Sequence, residues 1–173
     1  TGGCRSGKSA YALSLVSEAP SKLYIATATV TDEEMAERVR RHRQERGPSW
    51  RSVEEPIDLA GAIEREPGPG EPVVVDCLTT WVTNLMLQDE AGAEARVLSE
   101  ADRLVEAVRR APNTVVLITN EVGSGVVPPY PLGRAFRDLA GWVNQRAGRA
   151  ADRIVLMGSG CPLVVKPRPP GQD

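Results

Sequence analysis

The run Gly2-Gly3-Cys4-Arg5-Ser6-Gly7-Lys8-Ser9 satisfies G-x-x-x-x-G-K-S/T at every position. Its glycines let backbone N–H groups converge on phosphate oxygens that larger side chains would keep away. A helix beginning near Lys8 adds the positive end of its dipole. In such a loop Lys8 reaches the β- and γ-phosphates of a nucleoside triphosphate, and the Ser9 hydroxyl ligates Mg²⁺. Lys8 is therefore expected to be catalytic, Ser9 to hold metal, and the whole run to bind nucleotide. The competing reading is a chance glycine-rich turn before a helix, which a full motif match at the start of an α/β chain argues against.

A phosphate loop also needs a carboxylate at the end of a neighbouring buried strand, to hold the hydration shell of the metal. Val73-Val74-Val75-Asp76 supplies one. By itself, a strand-end Asp is as ordinary as a helix cap; beside a phosphate loop, Asp76 is expected at the Mg²⁺.

The chain has a single histidine, His42. Thr31-Asp32-Glu33-Glu34 is spaced for a capping box at a helix start. Along that helix Met35, Val39 and His42 fall at i, i+4 and i+7, on one face. Arg38, Arg40, Arg41, Arg43 and Arg46 lie close to His42 in sequence. Such a cluster disfavours imidazolium and keeps the ring neutral and nucleophilic near pH 7. The same guanidiniums suit a triphosphate and its departing pyrophosphate, and histidine attack on an α-phosphorus is a form of covalent catalysis. Yet a lone His on an Arg-rich helix is more commonly a surface or packing residue, and spacing does not separate the two.

Other classes are disfavoured. The guanine-reading N-K-x-D of Ras-like switches is absent: Asn120-Glu121-Val122-Gly123 lacks the Lys and the Asp, and Asp138-Leu139-Ala140-Gly141 matches D-x-x-G only in letters, within a helix. A net charge of −2 and a pI near 5.6 argue against nucleic acid or anionic membrane as partners. No run approaches the ~20 apolar residues of a membrane span, and there is no signal-peptide pattern. Cys4, Cys77 and Cys161 form no C-x-x-C pair, and with one histidine they make no structural zinc site. Reduced thiols and a cytoplasmic location are expected.

The elements that must carry these residues read as α/β with a mostly parallel sheet and helices on both faces. At 173 residues, with 41% hydrophobic and only 4% aromatic, the chain is long enough for one domain with a core of Val, Leu, Ile and Ala. Strands are expected at Leu23–Ala28, Val73–Asp76, Thr114–Thr119, Arg153–Met157 and Leu163–Lys166. Helices are expected at Lys8–Glu18, Asp32–Arg46, Ile57–Glu66, Thr80–Asp89, Ala93–Arg110 and Leu132–Ala150. The unalternating runs Val73–Val75 and Val115–Ile118 are those of strands covered on both faces. Pro67-Gly68-Pro69-Gly70 and Pro112-Asn113 punctuate the turns. The connection Asn120–Pro131 has the length of a functional or mobile loop. Residues 1–166 are expected to form the domain, with a Pro-rich tail over 167–173. Because the phosphate loop normally hangs from a buried strand, a strand upstream of Thr1 is expected as well.

Several blocks are specific enough to suggest a family. They are Leu23-Tyr24-Ile25-Ala26-Thr27, Asp32–His42 with Trp50 following, Asp76–Leu85, Thr119-Asn120-Glu121-Val122-Gly123-Ser124-Gly125-Val126-Val127-Pro128 and Arg137–Arg146. With the phosphate loop, they resemble the bifunctional adenosylcobinamide kinase / adenosylcobinamide-phosphate guanylyltransferases of cobalamin biosynthesis, from Thr1 to about Lys166. The resemblance implies a RecA-like P-loop NTPase fold and two reactions. A kinase phosphorylates the aminopropanol hydroxyl of adenosylcobinamide from ATP or GTP. A transferase then moves GMP from GTP onto that phosphate through a guanylylated histidine. The family's nucleophile is the second of two adjacent histidines; here Arg41 stands at the first position and His42 at the second. The resemblance further implies a nucleotide pocket of the phosphate loop, Thr27, Ala28, Thr29, Arg43, Gln44, Glu45, Arg46, Glu54 and Asp76, with Ser9 and Asp76 at Mg²⁺, and a homotrimer. Asn120 and Glu121 read equally as ligands of metal or corrinoid and as a strand-end cluster capping a turn. Thr79, Thr80, Thr83 and Asn84 read as cleft lining or helix capping. The alternatives are a small-molecule P-loop kinase with a structural His42, and a non-catalytic nucleotide-binding module.

Overall fold

The computed structural model describes residues 1–29, 33, 37, 40, 46–89 and 91–167. Its frame is a sheet of four parallel strands, β1 (Lys22–Ala26), β2 (Trp50–Glu54), β3 (Val73–Asp76) and β4 (Val115–Ile118), in the order β2-β1-β3-β4. Register places Glu54 and Asp76 on either side of Ala26, and Ile118 beside Asp76. The C-terminal ends of the four strands therefore form one row, the edge at which open parallel sheets bind ligands.

Five helices are present among the described residues: α1 (Lys8–Ser14), α2 (Leu59–Arg65), α3 (Leu78–Gln88), α4 (Ala93–Arg110) and α5 (Pro131–Ala150). They cover both faces, because alternate strand residues point to opposite sides. Leu23, Ile25, Val73 and Val75 enter a large core with Leu59, Trp81, Leu85, Val97, Leu104 and Val143 from α2 to α5. Val74 and Ile118 point the other way, onto Ala12 of α1 and Val16 in the turn that follows it, with Tyr24, Trp50 and Val116 at the margin. Val73, Val74 and Val75 are all fully buried, as their unalternating run predicts. The α/β expectation thus holds, with a parallel sheet between two helical layers.

An antiparallel hairpin of β5 (Ile154–Gly158) and β6 (Cys161–Lys166) follows α5. Its turn residues, Ser159 and Gly160, both have positive φ (50° and 82°), the sense that matches the twist of paired strands. The entrance to the phosphate loop is held between this hairpin and the end of β4. Met157 N–H donates to Thr1 O at 2.8 Å, Gly2 bridges Met157 in parallel, and Glu121 N–H donates to Gly2 O at 3.2 Å.

Two departures from expectation concern α1 and the strand beside β1. Helix α1 ends at Ser14 instead of Glu18, where Val16 and Ser17 N–H groups turn to carbonyls three residues back, ahead of Pro20. Strand β2 was not expected: Trp50-Arg51-Ser52-Val53-Glu54 is an edge strand, and its polar, half-exposed residues lack an apolar run. The helix expected over Asp32–Arg46 lies largely outside the described residues; Glu33, Glu37, Arg40 and Arg46 are helical, and Arg40 donates to Glu37 at 3.0 Å.

Candidate active site

The phosphate loop leaves the sheet at the row of strand ends and turns into α1. Its conformation rests on glycine at two places. Gly2 has φ 147°, and a Cβ there would lie 2.5 Å from Met157 O and 2.9 Å from Ser6 Oγ. Gly7, at φ 95°, is the N-cap of α1, where Gly7 O accepts from Tyr11 N–H at 3.0 Å. Arg5 also adopts positive φ (54°) at the exposed crest beside Gly3 and Cys4. Ser6 is buried beneath the crest, and its carbonyl accepts from Gly160 N–H at 3.0 Å. The hairpin turn thus buttresses the loop from below. Lys8 folds back across the loop, its Nζ donating to Gly3 O at 2.6 Å. A single cation is thereby held over the converging backbone.

Ser9 and Asp76, expected together at metal, are in direct contact: Ser9 Oγ donates to Asp76 Oδ2 at 2.9 Å. They come from α1 and β3, 67 positions apart in the chain. One hydroxyl and one carboxylate are hard oxygen donors of the kind Mg²⁺ takes, and Mg²⁺ keeps most of its ligand positions for water and phosphate. No cluster of three or more His, Cys, Asp or Glu side chains able to hold a metal occurs among the described residues, and this chemistry needs none.

The same Oδ2 accepts a second bond, from the Tyr24 hydroxyl at 2.9 Å. Tyr24 lies beside Val74 in the β1–β3 register, so its side chain reaches diagonally to Asp76, two residues on, across one face of the sheet. Burial first, then the neighbouring Asp76, push the Tyr24 hydroxyl well above the ordinary tyrosine range, so it remains a donor. The Arg46 guanidinium stacks over the Tyr24 ring at 3.8 Å, and Trp50 meets the ring edge-on at 6.3 Å. Arg46 also donates to Ser52 Oγ at 3.2 Å. Arg46, expected at the nucleotide, is thus linked through Tyr24 to Asp76.

Thr27, also expected to bind nucleotide, is fully buried. Its hydroxyl donates to Cys77 O at 2.8 Å and accepts from Cys77 N–H at 2.9 Å, while its own N–H donates to Asp76 O at 3.0 Å. In this geometry Thr27 braces the Asp76–Cys77 peptide. Asn84 anchors Thr27 in turn, through Nδ2 to Thr27 O at 2.7 Å. Ala28 and Thr29 continue as coil at the strand ends, and Glu54 is exposed at the end of β2. His42, Arg43, Gln44 and Glu45 lie outside the described residues, as does Arg41.

Beyond β4 a polar network binds the strand ends to the helices. Thr119 Oγ1 donates to Asn144 Oδ1 at 2.6 Å, and Asn144 Nδ2 donates to Asn120 O at 3.0 Å. Asn120 Nδ2 donates to Thr79 Oγ1 at 3.2 Å, whose hydroxyl contacts Cys77 Sγ at 2.9 Å. Glu121 accepts from the Thr1 hydroxyl and from Asn144. Asn120, Glu121 and Thr79 therefore act here as strand-end and helix ties. Tyr24 and Asn144 were not singled out from the sequence. The only signal for Tyr24 was its place two residues before Ala26 in a strand whose neighbour ends in Asp76; Asn144 lay hidden in a helix.

A family model described as cobinamide kinase / cobinamide phosphate guanyltransferase matches residues 1–165. The chain is 42% identical to the bifunctional adenosylcobalamin biosynthesis protein CobU of Salmonella typhimurium, across 96% of this chain and 97% of that protein. Identity and coverage are the same for CobU of Escherichia coli. The corresponding protein of Pseudomonas aeruginosa, CobP, is 40% identical over 97% of this chain and 96% of its own length.

Proposed function

Since the chain belongs to the cobinamide kinase / cobinamide phosphate guanyltransferase family, we propose that it phosphorylates adenosylcobinamide from ATP or GTP and then transfers GMP from GTP to the new phosphate, giving adenosylcobinamide-GDP. The observation that carries the nucleotide half of this reading is the Ser9–Asp76 contact at 2.9 Å beside the loop crossed by Lys8. Gly2, Gly3, Cys4, Arg5, Ser6, Gly7, Lys8 and Ser9 cradle the triphosphate with backbone N–H groups, and Lys8 meets the β- and γ-phosphates. Ser9 and Asp76 would hold Mg²⁺, which neutralises charge across the β- and γ-phosphate oxygens when bound.

In the kinase step the corrinoid's hydroxyl oxygen attacks the γ-phosphorus and gives up its proton to solvent, the bond to the β–γ bridging oxygen breaks, and the nucleoside diphosphate departs. In the transfer, His42 nitrogen attacks the α-phosphorus of GTP, the bond to the α–β bridging oxygen breaks, and pyrophosphate leaves. An oxygen of the corrinoid phosphate then attacks the same phosphorus and releases the imidazole. Arg43, Gln44, Glu45, Arg46, Glu54, Thr27, Ala28 and Thr29 surround the nucleotide in this reading, and the guanidiniums stabilise the departing pyrophosphate.

The enzyme works in the cytoplasm as a homotrimer, with no nucleic-acid or membrane partner. Among the described residues no helix is long and apolar enough to cross a membrane, and the net charge of −2 offers polyanions little. Incubation with α-labelled GTP and Mg²⁺ tests the central step. Acid-labile, base-stable label should form on the protein and vanish in His42→Ala, while kinase activity measured with γ-labelled ATP survives that change and is lost about 10²–10³-fold in Lys8→Ala. A wild-type protein that turns over the corrinoid yet never takes label would reduce the enzyme to a plain kinase.

A further inference from the structure

We propose that Tyr24 is a positioning residue that sets the Asp76 carboxylate for the metal with its hydroxyl and seats Arg46 with its ring, so that one side chain aligns both. The argument begins with Oδ2 of Asp76, which accepts from Ser9 Oγ and from Tyr24, each at 2.9 Å. Among the described residues no hydrogen bond reaches Oδ1. The Ser9 hydroxyl cannot be a permanent anchor, since a metal taken by Ser9 draws on the same oxygen. Tyr24 has no such competing task, and it donates from a strand beside β3, deep on the sheet face that α1 covers. The carboxylate therefore keeps one fixed bond while its other oxygen is left for metal-bound water.

The ring performs the second part. The Arg46 guanidinium stacks 3.8 Å above it, and Trp50 closes its edge. Arg46 stands four positions beyond His42 in the chain, so the platform fixes the end of the segment that bears the histidine. Desolvated cation–π contacts of this kind are worth a factor of several to about thirtyfold in binding.

This inference rests on the reading of Asp76 as the metal carboxylate, and the test keeps the two apart. Mn²⁺ replaces Mg²⁺ as a paramagnetic probe, titrated by electron paramagnetic resonance into the protein with a non-hydrolysable GTP analogue. Tyr24→Phe keeps the ring and should weaken Mn²⁺ binding about tenfold, the worth of one hydrogen bond to a charged group, leaving metal-free nucleotide affinity unchanged. Excess Mg²⁺ should then restore its turnover, which a general loss of packing would not allow. Tyr24→Leu should in addition lower metal-free nucleotide affinity several-fold. Wild-type Mn²⁺ affinity in Tyr24→Phe, with binding lost in Asp76→Asn, overturns the role of Tyr24 alone. Wild-type affinity in Asp76→Asn overturns the metal reading and the inference with it. Both variants preserve side-chain size, and a thermal melt of each confirms that it is folded.

Discussion

Single side chains in this protein are set by partners from distant elements. Asp76 accepts from Ser9 and Tyr24, and Glu71 illustrates the same logic at the far end of the sheet. Glu71 is buried and accepts from Ser21 Oγ at 2.7 Å, Gly68 N–H at 3.0 Å and Arg51 at 3.2 Å, while Arg51 also bridges to Glu66 at 3.1 Å. Burial by itself would raise the Glu71 carboxyl, but these donors outweigh it and hold the group below its ordinary value of 4.5. A carboxyl lowered on folding adds stability that is present above its unfolded value and disappears as pH falls through the folded one. Wild-type stability should therefore drop below about pH 4.5 partly through Glu71. Glu71→Gln should lose about 1–3 kcal/mol at pH 7 and show a flatter acid limb, with guanylylation intact. Denaturant melts across pH would show it; parallel acid limbs would remove Glu71 from the account.

Among the elements, the hairpin and the phosphate loop are the most tightly matched pair. The β5–β6 turn donates Gly160 N–H to Ser6 O at 3.0 Å, and Gly2 packs where a Cβ would sit 2.5 Å from Met157 O. Backbone cannot give way cheaply there, and φ 147° at Gly2 suits no other residue. Gly2→Ala should accordingly cost a few kcal/mol in stability and loosen the loop enough to reduce triphosphate affinity at least tenfold. Gly3→Ala, with open space around its Cβ, should be milder. Calorimetry with GTP on the two variants separates local from general damage; equal losses would mean that the hairpin does not shape the loop. Helix α4 shows the simpler rule, burying Ala93, Val97, Ala101, Leu104 and Ala107 on one stripe at helical spacing.

For the molecule as a whole, two features look outward. Leu163, Val164 and Val165 of β6 are exposed on a strand that, among the described residues, pairs only with β5, and an open apolar strand of that kind is surface that proteins normally cover. An apolar cleft of about 360 Å³ lies between α3 and the start of α5, lined by Met86, Leu87, Tyr130, Leu132 and Phe136. Sedimentation velocity should find a species about three times the 18.6 kDa chain mass; a monomer at micromolar concentration would discard the trimer.

Local signals carried much of this protein. The phosphate loop, the buried run Val73–Val75, the α4 stripe and the turn at Pro67–Gly70 are legible because each depends on neighbours in the chain: glycine conformations, two-residue or helical periodicity, and turn chemistry. Asp76 could be paired with Ser9, 67 positions away, because a phosphate loop calls for a carboxylate at the end of a neighbouring buried strand and Val73–Val75 runs straight into one. Strand β2, the Tyr24–Asp76–Arg46 alignment, the Glu71 cluster and the Asn144 ties could not be read that way. Each of them depends on at least one contact between groups 20 or more positions apart. Such contacts are decided by strand register and by which face of the sheet a residue takes, and those exist only after the chain has folded.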